Sequence, residues 1–349
     1  MKKTLPVILL FAALVYLLPM VPFLAAKRDM PAAPAGSSSS QSGAPVQSAP
    51  SSSAAPAPAP AAGEEAPLLI LDETTGEVLT VPVRDFVLGA VAAEVPLTYP
   101  DEALRAQAVA SHSYALAVKE RVLAAETADP ALKGAYFKAS PSRRLGFLTD
   151  EMMRLAWGDD YEANKARLEQ VLAPVLGQVL LYEGHPALAC YHACSNGATQ
   201  AAEDVWGSPI PYLVSVDSSL DKTNPEYEQS FTMNSQEMSD DLSANFAGLD
   251  LSGPASGWFG VFQHSAAGYV TSAQVGGVNC QGMDLRTALG LRSTDFTITW
   301  QDTQFSITTR GYGHGVGLSQ YGANAMALTG SAYTDILAHY YPGTILGTA

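Results

Sequence analysis

The chain has 349 residues, of which 47% are hydrophobic and 15% charged, enough material for one large domain or two ordinary ones. Its 19 basic and 34 acidic residues give a net charge of −15, which excludes a nucleic-acid surface built on clustered Lys and Arg. Three cysteines exclude a disulfide-dense miniprotein, and the absence of a second apolar run of spanning length excludes a polytopic membrane protein.

The first long apolar run extends from Leu5 to Ala26, behind Met1, Lys2, Lys3 and Thr4. It meets the roughly 20 residues needed to span a hydrocarbon core and exceeds the ~7–15 of a cleaved signal peptide. Residues 1–30 are therefore expected to form a cytoplasmic tip and a transmembrane signal anchor. In the alternative, a signal peptidase acts at Leu24-Ala25-Ala26. On either reading the remainder is exported, and the anchor makes it a single-pass cell-membrane protein with its folded domain outside the cytoplasm. Pro31–Gly63 contain only Pro, Ala, Ser and Gly apart from Gln41, Val46 and Gln47. Such a segment cannot bury enough apolar surface to offset its ordering entropy. Residues 31–66 thus read as a disordered linker, stiffened where Ala-Pro repeats favour polyproline geometry.

Residues 67–349 have a globular composition. Residues 1–30 carry Lys2, Lys3, Lys27, Arg28 and Asp29, so 15 basic and 33 acidic side chains remain beyond them. Leu68–Leu71 and Val78–Val83 read as strands about a Thr74-Thr75-Gly76 turn. Asp85–Glu94 and Pro100–Arg121 read as helices, the second opened by Pro100, Asp101 and Glu102. Asp150–Trp157 and Tyr161–Leu172 are further helices. Gln178–Tyr182, Ala187–Tyr191, Tyr212–Val216, Gly268–Val275 and Phe296–Thr299 read as strands, before helices at Gln320–Leu328 and Thr334–Tyr340. The mixture lacks a βαβ rhythm, so the expected class is α+β, in one compact catalytic region that leaves room for subdomains.

Two stretches carry chemistry. In Ala92-Ala93-Glu94-Val95-Pro96, Glu94 shares a helix face with Val87, Ala90 and Val91, so one carboxylate sits on a core-facing stripe. Pro96 ends the helix just beyond it. Burial and the negative end of the helix dipole both raise a carboxyl pKa, as a general acid requires. The structural alternative is a glutamate satisfied by Arg105 or by a backbone donor. In Gly311–Ala323, glycines alternate with Tyr312, His314 and Val316 before Ser319, Gln320 and Tyr321 lead into a helix. An extended segment of this kind would present one bare backbone face, open to a ligand or to another strand. Its polar and aromatic side chains suit a sugar-binding wall, and the stretch is expected to lie beside Glu94. The alternative is a turn whose glycines serve packing alone.

Together these stretches resemble the stage II sporulation protein D family of peptidoglycan lytic transglycosylases. The likeness runs from about Arg84 to Gly343. It includes Glu102–Ala110, Tyr191–Thr199, Val205-Trp206-Gly207, Pro211–Val216, Leu289–Phe296 and Tyr340-Tyr341-Pro342-Gly343. The resemblance implies that Glu94 is the catalytic acid. It implies cleavage of the bond between N-acetylmuramic acid and N-acetylglucosamine in denuded glycan strands, with 1,6-anhydromuramic ends, during the engulfment step of sporulation. Arg105, Tyr312, His314, Ser319, Gln320 and Tyr321 are the candidates to orient the sugars. No cofactor is required for that chemistry. Expected partners are peptidoglycan strands, the membrane through the N-terminal helix, a peptidoglycan amidase and other engulfment proteins, with no nucleic acid. The related amidase enhancers share this domain, so a non-catalytic wall-binding role is the competing reading.

Cys190, His192 and Cys194 would point to one side of a strand, and thiolates with imidazole suit zinc. In a straight strand, however, the two thiols stand about 13 Å apart by the strand rise, so sharing an ion needs a bend. The resemblance implies zinc near here in some family members. A Cys190–Cys194 disulfide, or two buried thiols, are the alternatives.

Overall fold

The computed structural model describes residues 65–349, so the expected signal anchor and residues 31–64 of the expected linker lie outside the described residues. No helix among the described residues is long and apolar enough to cross a membrane.

The chain opens with β1 (Leu68–Asp72) and β2 (Val78–Val81), antiparallel about the expected turn, and β1 also pairs in parallel with β3 (Phe137–Ala139). Between them run α1 (Val83–Glu94) and α2 (Asp101–Ala124). Pro100 precedes α2 with Asp101 and Glu102 in the first turn, as the sequence predicts. Ala106, Ala108, Ala110, Ser111 and Ala115 are buried along α2. Their small side chains let neighbouring elements approach it from several sides. Gly89 of α1 serves the same purpose. A Cβ there would stand 2.1 Å from the Leu148 carbonyl oxygen, and the Leu148 amide donates to the Gly89 carbonyl at 2.9 Å. The 140–148 loop therefore lies directly on α1.

Next come α3 (Asp150–Trp157), α4 (Tyr161–Leu172), β4 (Gln178–Tyr182), β5 (His185–Pro186), β6 (Tyr191–His192) and the short α5 (Ala202–Trp206). The expected strands at 187–191 and 212–216 do not form as such. Only Tyr191–His192 is strand, and Tyr212 is buried with its hydroxyl accepting from the Leu188 amide at 2.8 Å. An apolar stretch can be buried by one anchored side chain as well as by a ladder.

From β7 (Glu228–Asn234) the chain builds a second core. It contains α6 (Ser235–Asn245), β8 (Phe259–His264), β9 (Val270–Val275), β10 (Val278–Gln281), α7 (Gly282–Ala288), β11 (Asp295–Gln301) and β12 (Gln304–Arg310). Two antiparallel three-stranded sheets, β10-β9-β8 and β11-β12-β7, enclose Met238, Leu242, Leu285, Phe296, Phe305 and Ile307. The chain then returns to the first core through β13 (Leu318–Ser319), α8 (Gln320–Leu328), α9 (Tyr333–Tyr340) and β14 (Ile345–Thr348). β13 pairs in parallel with β6, and β14 pairs with β4. The α+β class is as expected. The single compact region resolves into a large lobe around α2 and a smaller, strand-rich lobe inserted within it.

Candidate active site

Glu94 is the last residue of α1. Val95 leaves the helix in an extended conformation, with its amide still bound to the Val91 carbonyl at 3.2 Å. Val87, Ala90 and Val91 are buried, so the stripe that carries Glu94 does face inward. The carboxyl opens onto a cavity of about 510 Å³, a size suited to a small ligand or a few sugar atoms. Protein packs closely around it even though part of the side chain faces the cavity. Desolvation pushes its pKa up to about 7, while hydrogen bonds from the Gln320 side chain and the Gly146 amide pull the other way. Gly146 belongs to the loop that Gly89 admits onto α1. Arg105 is not the partner of Glu94: it pairs with Glu102, and its Nε donates to the Val171 carbonyl at 3.0 Å.

The Gly311–Ala323 stretch reaches this cavity across more than 200 residues of sequence. Tyr312, Gly313, His314 and Gln320 all line it with Glu94. The stretch is not a regular strand, because Gly311, Gly313, Gly315 and Gly317 all have positive φ. Its bare face is occupied by the 190–195 segment: a Cβ on Gly317 would stand 2.0 Å from the Cys190 carbonyl oxygen. The glycines therefore admit protein backbone, and the ligand space opens on the side chains instead.

Gln320 is 7% exposed and touches both Glu94 and Gln107, whose side-chain oxygen accepts from Gln320 Nε2 at 3.3 Å. His314 is buried, with both ring nitrogens used: Nε2 donates to the Tyr191 carbonyl at 2.9 Å and Nδ1 accepts from the Val316 amide at 3.1 Å. Its pKa is pushed well down, chiefly by burial, so it stays a neutral brace between two segments. Ser319 is fully buried. It caps α8 through the Gly322 amide and donates to Asp221 at 2.8 Å. Tyr321 turns its hydroxyl toward Thr223 at 3.4 Å. Neither Ser319, Tyr321 nor Arg105 lines the cavity. Ser319 is instead part of a scaffold: Asp221, with no exposed surface, also accepts from the Ser195 amide at 2.8 Å and the Ser218 hydroxyl at 2.9 Å.

Cys190, His192 and Cys194 are not gathered as a three-ligand set in this structure. Among the described residues no three His, Cys, Asp or Glu side chains converge as metal ligands. Both cysteines are free, buried thiols pushed up to about 12, mainly by desolvation. The backbone bends at Ala193, and Cys194 bridges to Tyr312 outside the short β6 strand, so the three residues do not share one regular strand. His192 lines the cavity. Its Nδ1 donates to the Val316 carbonyl at 3.2 Å, which leaves a buried, unpartnered acceptor at Nε2. Burial lowers its pKa to about 4.

Sequence reasoning missed several cavity residues. Tyr114 and Trp157 lie on the predicted helices and Tyr191 at the end of a predicted strand. Arg143 and Arg144 form an adjacent basic pair in an acidic chain, a signal that was available. Arg286, from α7 of the small lobe, carries no local signal at all.

Comparison with known proteins places this chain in a family. A family model described as stage II sporulation protein matches residues 72–182, which include Glu94. The chain is 36% identical over 269 residues to stage II sporulation protein D of Bacillus amyloliquefaciens, covering 77% of this chain and 75% of that protein. This chain belongs to the stage II sporulation protein D family. It is also 34% identical over 269 residues to stage II sporulation protein D of Bacillus subtilis (strain 168), again covering 77% and 75% of the two chains. An amidase enhancer of Bacillus subtilis is 26% identical over 315 residues, covering 74% of this chain and 40% of that protein. Within the family's matched segment, the feature that stands out chemically is Glu94, a raised carboxyl at the end of a helix.

Proposed function

We propose that this protein is a membrane-anchored peptidoglycan lytic transglycosylase acting in sporulation. It would cleave the bond between N-acetylmuramic acid and N-acetylglucosamine in denuded strands during engulfment. The observation that supports this reading most is that, among the described residues, Glu94 is the sole Asp or Glu lining the cavity, with its pKa pushed up to about 7 by burial. Glycoside hydrolysis of the usual kind needs two carboxylates, one of them a nucleophile or a base for water. A lytic transglycosylase needs one. Protonated Glu94 donates to the glycosidic oxygen as the bond breaks. The resulting carboxylate takes the proton of the muramic O6 hydroxyl as that oxygen closes the 1,6-anhydro ring. A pKa near neutrality suits both halves, because the group must give and regain a proton in one cycle. Gln320 and the Gly146 amide orient the carboxylate, and Tyr312 and Trp157 offer apolar faces to sugar rings. No cofactor enters this scheme.

The similarity to an amidase enhancer supports a second reading, a wall-binding protein that aids an amidase. One experiment separates them. Full-length protein is incubated with peptide-free glycan strands and the products are weighed by mass spectrometry. The transglycosylase yields 1,6-anhydromuramic ends, and Glu94→Gln lowers the rate by about 10²–10⁴-fold without loss of fold. Strands left intact, while a purified amidase is stimulated, would establish the enhancer.

A further inference from the structure

The cavity is cationic in a protein that is strongly acidic. Arg143, Arg144 and Arg286 line it, against the single carboxyl of Glu94. Among the described residues, Arg84, Arg105, Arg154, Arg167, Arg292 and Arg310 each lie within ion-pair distance of a carboxylate. The three cavity arginines make no such pair, even with Glu94; outside the cavity, Arg121 is the one other described arginine without one. Carboxylates are plentiful in this chain, so three unpaired guanidinium groups at one cavity call for a reason.

Arg286 makes the case strongest. It is 4% exposed, and a buried cation without a counter-charge is costly. Its Nε donates to the Leu291 carbonyl at 3.2 Å and its Nη1 contacts Met283 Sδ at 3.6 Å. These contacts employ two of five N–H groups and neutralise nothing. Burial lowers its pKa to about 10, which leaves it charged at neutral pH. Arg143 and Arg144 are presented by a hydrogen-bonded turn. Their turn is closed by the Ser140–Leu145 bridge, with the Arg143 amide donating to Ser140 and the Arg144 amide to Pro141, both at 2.9 Å. Arg144 adopts φ +58°, a left-handed conformation that non-glycine residues seldom hold.

We infer that Arg286, with Arg143 and Arg144, determines specificity by binding a carboxylate of the substrate: the free lactyl carboxylate of a muramic residue that carries no peptide. The inference rests on the glycan reading above and adds what is recognised. A guanidinium fork matches a carboxylate through two parallel charge-assisted hydrogen bonds. Attaching a stem peptide converts that carboxylate into a neutral amide, and the pairing is lost. The enzyme therefore selects bare strands by charge rather than by the size of the missing peptide. Stem peptides carry carboxylates of their own, and the test separates that source.

Binding is measured with full-length Glu94→Gln protein, so that turnover does not consume the ligand. Three strands of equal length are compared: peptide-free, peptide-free with each lactyl carboxyl converted to its methylamide, and peptide-bearing. The methylamide, which adds little bulk, should bind about tenfold more weakly or worse. Adding Arg286→Gln should bring the ratio of free acid to methylamide close to one, and Arg286→Lys should restore part of it. The exposed pair Arg143→Gln and Arg144→Gln should narrow the ratio and decides the matter if Arg286→Gln does not fold. Equal binding of acid and methylamide overturns the inference, as does a ratio that no arginine variant moves. Tighter binding of peptide-bearing strands assigns the arginines to a stem-peptide carboxylate and also overturns it. Charge-selective binding by a wild-type protein that cuts nothing would sink the transglycosylase reading alone. Cleavage without charge preference would sink this inference alone.

Discussion

The two lobes fill their interiors differently. The large lobe buries Gln107, Ser111, His192, Ser195, Gln200, Asp221, His314 and Ser319 beside its apolar core, and of these His192 and His314 line the cavity. The small lobe encloses Met238, Leu242, Val275, Leu285, Phe305 and Ile307, with rings of Trp258, Phe259 and Trp300 packed about Phe305. Buried polar groups stabilise less than packed hydrocarbon unless every donor and acceptor is met. Their number in the large lobe shows where the protein gives up packing for a fixed arrangement of hydrogen-bonding groups. Among the described residues of the small lobe, Arg286 is the one buried charge, beside the buried hydroxyls of Ser293, Thr294 and Thr309, and it is the residue that this lobe sends into the cavity.

The largest expected effect tests whether the polar network is a scaffold. Asp221→Ala strips an acceptor from the Ser195 amide and from the Ser218 and Ser319 hydroxyls, and should lower stability by about 4 kcal/mol. Denaturant unfolding measures it, and a loss below about 1 kcal/mol would mean that water replaces the carboxylate freely.

Ile307→Ala removes a fully buried side chain from the small lobe and should cost about 3 kcal/mol. If the lobes are separate units, calorimetry shows two transitions and only one moves. A single transition that shifts as a whole would break the comparison by making the lobes one cooperative unit.

A third, smaller effect comes from Glu94 itself. Its folded pKa of about 7 exceeds the ordinary 4.5, so ionisation opposes folding. Its contribution is fully present below pH ~4.5 and is lost as the pH rises through ~7. Glu94→Gln should therefore match wild type near pH 4 and exceed it by about 2 kcal/mol at pH 8, since the carboxyl still opens partly onto solvent. Equal stability at both values would mean that the carboxyl is not held in a desolvated site. Cleavage by the wild type should fall over the same range, as the proton to be donated is lost.

The smallest effect lies on the exposed edge of the small lobe. Val261 is 64% exposed on β8, and Val261→Thr should change stability by no more than about 0.5 kcal/mol. A larger loss would show that this edge is covered in the intact protein.

Local signals decided much of this protein in advance. Glu94 was legible because a helical period, a following proline and one charge on an apolar face coincide within eleven residues. The strands about Thr74-Thr75-Gly76, the central helix and the helices at 320–328 and 333–340 were legible for the same reason: period, cap and breaker act within a few residues of one another. The α+β class followed from their order. Tertiary structure alone decided the rest. The roles of His314 and Ser319 depend, beyond their local contacts, on the Tyr191 carbonyl and the Asp221 carboxylate, which belong to segments about 100 residues away or more. The small lobe was invisible as a lobe, because its short strands bury one face against partners that the sequence does not name. Arg286 could not be singled out because an arginine is marked by the counter-charge it lacks, and that is a property of the space around the side chain rather than of its neighbours in the chain.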